Sequence, residues 1–266
     1  MQYVYPSMRS GNWSAEDLRD DFPGPALDAA RWVDHYLPQW TTPERSAARY
    51  DFTDGGLQLR IDADQPAWRD EDGPFRVSNI QTGTFSGPVG SDVGTHRHTD
   101  GLTVRTEVAT SALWTPSGGG YAEATVRATD DPTCMLGIWL VGFEQSGPDD
   151  SGEICIAELF GSAIGRDRST VRLGVKAHHD PRLRTEVTDL ELPIDATGAH
   201  TYGAGWTADW IEFVIDGRVA RRVTQGIRYP LQLMIDLFEF PTGDARPADA
   251  YPKTALVQSA RGYRRR

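Results

Sequence analysis

Gly152-Glu153-Ile154-Cys155-Ile156-Ala157-Glu158-Leu159-Phe160-Gly161 decides how the rest of the chain is read. Polar and apolar side chains alternate from Glu153 to Ile156, the period-2 signature of a strand with one buried face and one face turned to a cleft. Ile154 and Ile156 then point into a core, and Glu153 and Cys155 point away from it. Glu158 comes five residues after Glu153, so in a regular strand the two acids face opposite sides. One extra residue near Ala157, a β-bulge, brings Glu158 back to the face of Glu153, and bulges often re-aim a side chain in this way.

Two carboxyl groups on one cleft face are the equipment of a retaining glycosidase, which needs them about 5 to 5.5 Å apart as nucleophile and acid/base. Four effective strand steps separate the Cα atoms by roughly 13 Å, and two inward-leaning glutamates close most of that distance. Taken alone, the same pair also fits a solvated strand face.

Outward from this stretch, 266 residues are enough for one large all-β domain. The expected division is an arm over residues 1–20 and a single domain over 21–266. A formal charge of −11 excludes a nucleic-acid partner, since phosphate binding needs a basic surface, and only Arg264-Arg265-Arg266 forms a basic run. Lysine is nearly absent, with Lys176 and Lys253 alone, and arginine takes its place. No stretch approaches the ~20 apolar residues of a membrane span. The start, Met1-Gln2-Tyr3-Val4-Tyr5-Pro6, has neither a basic nor an apolar leader region, so a cytoplasmic location is expected, or secretion if a leader has been trimmed. Cys134 and Cys155 lie on consecutive expected strands and either pair or remain free thiols.

Turn signals then divide the chain into short strands. Asp54-Gly55-Gly56 precedes the alternating Leu57–Asp62, residues 78–86 form another candidate, and Asp100-Gly101 leads into an expected strand over Leu102–Val108. Residues 62–74 and 87–100 read as long surface loops of the kind that bind ligands. Gly118-Gly119-Gly120 opens Tyr121–Ala128, Asp130-Asp131-Pro132 precedes Cys134–Gly142, and the loop Glu144–Ser151 delivers Gly152-Glu153. Thr170–His178 reads as a strand, the run His200–Val219 holds a turn at Asp209, an alternation that buries Ile211, Phe213 and Ile215 and a closing Asp216-Gly217, and strands over Pro230–Phe240 and Thr254–Tyr263 follow. Over Pro230–Phe240, Leu231, Leu233, Ile235 and Leu237 face the core, leaving Gln232, Met234, Asp236 and Phe238 on the cleft side. No long helical stripe interrupts the pattern, so the expected fold is all-β, a two-sheet antiparallel sandwich of jelly-roll type with a concave cleft.

Several segments together resemble glycoside hydrolase family 16, the laminarinase-like β-glucanases. Their bulged active-site strand reads Glu-x-Asp-x-x-Glu, and here Glu153-Ile154-Cys155-Ile156-Ala157-Glu158 stands in its place. Asp21-Phe22 with Trp32 is similar to the family's opening, and Trp139 to its recurrent aromatic before the catalytic strand. His200-Thr201-Tyr202, Trp206-Thr207-Ala208-Asp209 and Asp216-Gly217 follow the family's later sequence of a His-x-Tyr, a turn, an alternating strand and a closing hairpin. The resemblance implies Glu153 as nucleophile, Glu158 as general acid/base and Trp139 as a sugar-stacking platform. It also places Cys155 where the family has an assisting aspartate. A neutral thiol cannot hold a shared proton as a carboxyl can, and Asp236, on the cleft face of another strand, is a candidate to take over.

His178, Gln232 and Phe238 are the further expected substrate contacts, His178 being equally compatible with loop packing. His96-x-His98 shows no third metal ligand in the sequence, and no cofactor is expected. The acidic loops leave room for a structural calcium ion without supplying a calcium-loop motif. The implied activity is retaining endo-hydrolysis of a β-linked polysaccharide, with β-1,3- or mixed-linkage glucan as first expectation. The alternatives on the same fold are a non-catalytic carbohydrate-binding protein and a transglycosylase.

Overall fold

The computed structural model describes residues 13–240 and 247–266. Two antiparallel sheets pack face to face. The first, eight-stranded, runs β14 (Arg218–Val223), β13 (Ile211–Ile215), β12 (His200–Trp206), β7 (Gly120–Arg127), β16 (Lys253–Arg265), β3 (Gly56–Ile61) and β2 (Arg49–Thr53), with β1 (Trp13–Asp20) also on β16. The second runs β11 (Glu186–Leu192), β10 (Ser169–Lys176), β9 (Glu153–Phe160), β8 (Cys134–Gly142), β15 (Leu231–Glu239) and β4 (Arg76–Gln81). A minor ribbon pairs β5 (Gly83–Thr84) with β6 (Ser111–Ala112). This is the two-sheet all-β sandwich expected from the sequence. Of the expected arm, residues 1–12 lie outside the described residues, and Trp13–Asp20 are hydrogen-bonded into the first sheet as β1.

Alternation explains how the sandwich closes. Leu57, Leu59 and Ile61 of β3 and Ala122, Ala124 and Val126 of β7 meet Leu136, Ile138 and Leu140 of β8 and Ile154 and Leu159 of β9 in one buried core. Each such aliphatic side chain contributes about 1.5–3 kcal/mol on leaving water. The opposite face of the second sheet carries a separate cluster: Met135, Trp139 and Val141 of β8, Cys155 of β9, and Met234 and Phe238 of β15, covered by Tyr36, Trp40 and Trp68 from the loops. The same period puts Leu231, Leu233, Ile235 and Leu237 in the inter-sheet core, as read from the sequence.

Turn chemistry sets the hairpins. Asp54-Gly55 joins β2 to β3 across the pair Thr53 and Gly56. Asp216-Gly217 joins β13 to β14 with both residues at positive φ, 46° and 76°, the conformation that matches strand twist. Asp100-Gly101 does not start a strand, and the expected strand over Leu102–Val108 is corrected to an irregular segment. Leu102 and Val104 are buried, but the segment's backbone bonds go to loops, Val104 N–H to Ser91 O and Arg105 N–H to Gln39 O. Alternation placed the side chains; no strand lies alongside to complete a ladder there. Cys134 belongs to the inter-sheet core and Cys155 to the outer cluster, and both are free thiols.

Candidate active site

β9 carries the bulge that the spacing of its glutamates requires. Against β8, Ile138 pairs with Ala157 and Trp139 with Cys155, leaving Ile156 as the extra residue. Ile156 and Ala157 both enter the core, and Glu153, Cys155 and Glu158 thereby share the outer face. A carboxylate oxygen of each glutamate and the Cys155 Sγ all lie within 4.8 Å of one another. Both acids are buried in the floor of a cleft of about 880 Å³ that also takes in Trp139, Phe160, Lys176, His178 and Phe238.

On the neighbouring strand β10, register places Lys176 opposite Glu153, Gly174 opposite Cys155 and Arg172 opposite Glu158. The Lys176 ammonium lies 3.0 Å from Glu153 Oε1 and 2.6 Å from Glu158 Oε1. His178 Nε2 sits 2.7 Å from the other oxygen of Glu153, Oε2. Burial alone would push the Glu153 carboxyl up, but Lys176 and His178 outweigh it and hold the group down to about 2. Burial, with the two glutamate charges, pushes the Cys155 thiol well above its ordinary range, so it is neutral; its Sγ turns to the Arg172 carbonyl at 3.7 Å.

Trp139 lies along the floor, its indole 5.6 Å from the Phe238 ring and under the Lys176 ammonium at 5.4 Å. Gly137 makes room for it: a Cβ there would come 2.9 Å from the indole. Trp139 Nε1 has no partner among the described residues. His178 and Phe238 line the cleft as expected. Gln232 and Asp236 do not. Gln232 is fully buried and donates from Nε2 to Gln81 Oε1 at 2.9 Å, while Asp236 is fully buried and accepts from Asn79 Nδ2. They lie on the strand face read from the sequence, but they are buried against Gln81 and Asn79 of β4 instead of opening to the cleft.

The two long loops supply Trp68 and Asp72, and His96 and His98, and they meet where the Trp68 and His98 rings lie 5.3 Å apart; Tyr36 also lines the cleft. His96 is buried at a positive φ of 55°, its backbone N–H donating to Glu144 and its ring 4.9 Å from that of His178. The fold groups His96 not with His98 but with two other residues: nitrogens of His96 and His178 and an oxygen of Glu153 lie within 4.8 Å of one another. These three side chains could hold a metal ion, Glu153, Cys155 and Glu158 form a second such cluster, and the Lys176 ammonium on both glutamates opposes a cation at either. His200 lies elsewhere, pinning the β13–β14 hairpin through Asp216 at 2.7 Å. Lys176 is the residue that sequence reasoning missed. Its signal was its alternation with Arg172 and Gly174 and its status as one of two lysines.

A bulged strand presenting paired carboxylates at the floor of an aromatic cleft, on one face of a jelly roll, defines the class of sandwich enzymes that cleave glycosidic bonds. Residues 99–242 match the family model described as glycosyl hydrolases family 16, and the chain belongs to that family. No curated protein matches it. Among solved structures it is similar to the GlcNAcα1-4Gal releasing endo-β-galactosidase from Clostridium perfringens, at 26% identity and a TM-score of 0.79 over 95% of this chain. The chain spans 62% of the length of that structure. It is also similar to the laminarinase from Rhodothermus marinus, at 18% identity and a TM-score of 0.66, covering 97% of this chain and 100% of that one. The endo-β-1,3-glucanase from Pyrococcus furiosus shares 15% identity at a TM-score of 0.64, covering 98% of this chain and 97% of that one. These last two likenesses concern the fold.

Proposed function

We propose that the chain is a retaining endo-glycosidase in which Glu153 attacks the anomeric carbon and Glu158 protonates the leaving oxygen, later deprotonating the water that releases the sugar. The observation carrying this reading is the closeness of the two carboxylates, oxygens within 4.8 Å on one bulged strand. That closeness suits direct attack, whereas an inverting pair stands about 6.5–9.5 Å apart to hold a water. Glu153, ionised through Lys176 and His178, is in the state a nucleophile needs. Trp139, with Phe238 beside it, offers the apolar face on which a pyranose ring can rest.

The favoured substrate is a glycan with an internal β-galactoside linkage rather than the β-glucan first expected. Support comes from the endo-β-galactosidase, whose TM-score of 0.79 exceeds the 0.64 and 0.66 of the two glucanases compared here. The test is reducing-end release from laminarin, lichenan, agarose, carrageenan, β-1,4-galactan and a glycan ending in GlcNAcα1-4Galβ, with Glu153→Gln alongside. Release from a galactoside that disappears in the variant supports the reading. Release from glucans alone overturns the substrate, and equal activity in Glu153→Gln overturns the mechanism. Binding without cleavage by the unaltered chain points to a carbohydrate-binding role.

A further inference from the structure

Position 155 holds a neutral thiol between two acids that must exchange charge during turnover, so a different group has to balance that charge. The cleft supplies one. Lys176 stands across from Glu153 in the β9–β10 register, and its ammonium contacts both glutamates, 3.0 Å from one and 2.6 Å from the other. His178 reaches only Glu153, Arg172 is committed to Asp189 at 2.8 Å, and Asp236 is sealed beneath the floor. Resting on the glycosidase reading above, we infer that Lys176 is the counter-charge that passes from Glu153 to Glu158 as the glycosyl-enzyme forms and returns when it breaks down.

The charge balance shows why one ammonium suffices. Before the first step Glu153 is a carboxylate and Glu158 an acid, so the pair carries one negative charge. An oxygen of Glu153 then bonds to the anomeric carbon, the glycosidic C–O bond breaks, and the Glu158 proton goes to the departing oxygen. Glu153 is now a neutral ester and Glu158 a carboxylate, so the pair again carries one negative charge, shifted across the strand. In the second step water attacks the same carbon, its proton passes to Glu158, and the ester bond gives its electrons back to Glu153. Throughout, the ammonium has one anionic neighbour within hydrogen-bond reach and never has to leave the floor. An ammonium on a flexible stem can follow a moving charge by a small rotation, as a planar guanidinium cannot.

The experiment is the pH dependence of kcat/KM for the unaltered chain, Lys176→Met, and the double variant Lys176→Met/Cys155→Asp, on whichever glycan the panel identifies. Lys176→Gln replaces Lys176→Met if the latter does not fold, judged by circular dichroism and thermal melting. The expected result for Lys176→Met is at least a tenfold loss, with the acid limb of the profile moved up by a pH unit or more as Glu153 loses its counter-charge. The Cys155 Sγ lies within 4.8 Å of both carboxylates. A carboxyl placed there can share a proton with Glu153, so the double variant should recover at least tenfold over the single one. A Lys176 variant whose profile superimposes on the parent overturns the inference and leaves the glycosidase reading standing. So does a loss without any shift that Cys155→Asp fails to rescue, since that is the mark of a purely structural ion pair. An unaltered chain that cleaves nothing in the panel removes the glycosidase reading and this inference with it.

Discussion

Replacing Asp236 by asparagine should stabilise the protein, by an amount that grows with pH. Asp236 lies on β15 opposite Gly137 and Asn79, fully buried, with Oδ1 accepting from Asn79 Nδ2 and Oδ2 without a partner. Burial first, and the charge of Glu153 after it, push its carboxyl well above the ordinary 3.8, against the hydrogen bond from Asn79. The folded chain therefore keeps a proton that the unfolded chain releases. The stability of a group with a raised folded-state pKa is fully present below the unfolded value and is lost as pH rises. Each pH unit above 3.8 costs about 1.4 kcal/mol for as long as the folded carboxyl stays protonated. Asparagine has nearly the same shape and needs no proton, so the two proteins should match near pH 3.8 and diverge by about 1.4 kcal/mol per unit above it while the folded carboxyl holds its proton. Urea unfolding of both proteins at pH 4, 5, 6 and 7 measures the difference directly. A difference that stays flat across this range, or a variant less stable than the parent at pH 7, refutes the reasoning.

Glu158→Gln should cost roughly 10²–10⁴-fold in kcat/KM on a natural glycan but far less on an aryl glycoside whose leaving group needs no proton, read by steady-state kinetics. Glu153→Gln should lose activity on both substrates, because neither can bypass the covalent step. Burial pushes Glu144 up to about 8 against its bond from the His96 backbone, so stability should fall as pH rises from about 4.5 to 8, and Glu144→Gln should flatten that slope in thermal melts. Gly174 has φ 148°, and a Cβ there would come 2.2 Å from the Glu186 carbonyl oxygen. Gly174→Ala should therefore force β10 and β11 apart, costing on the order of 2 kcal/mol in urea unfolding and lowering activity as Lys176 shifts.

How much of the site could be read from the sequence depended on whether a property was local. Which face of β9 each residue occupies follows from alternation and the five-residue spacing, and the structure places the extra residue at Ile156, beside the expected Ala157. The faces of β15 follow in the same way. Depth does not. Gln232 and Asp236 share a strand face with Phe238, yet of the three only Phe238 lines the cleft, while the other two are buried against Gln81 and Asn79 of β4, a strand far away in the chain. The segment Leu102–Val108 failed for the related reason that a strand needs a neighbour, and its neighbours are Ser91 and Gln39 in irregular backbone. His96, His178 and Glu153 come from three separate stretches, so their meeting was likewise beyond any local pattern.

Lys176 was legible by a different route, through composition. Cationic residues number 27, and all but Lys176 and Lys253 are arginine. The two exceptions both make ion pairs: Lys176, 27% exposed, with Glu153 and Glu158, and Lys253, 9% exposed, with Asp131. Arginine carries its charge on a planar fork, whereas lysine carries a compact point charge on a flexible stem, and Lys176 stands beside two acids of the one strand β9. At both positions the ammonium meets a carboxylate in a partly enclosed place. At Lys176 that place is the gap between the two carboxylates, where burial would otherwise favour protonating Glu153. The ammonium, with His178, reverses that preference, so the neutral thiol at position 155 and the lysine at 176 belong to one electrostatic arrangement.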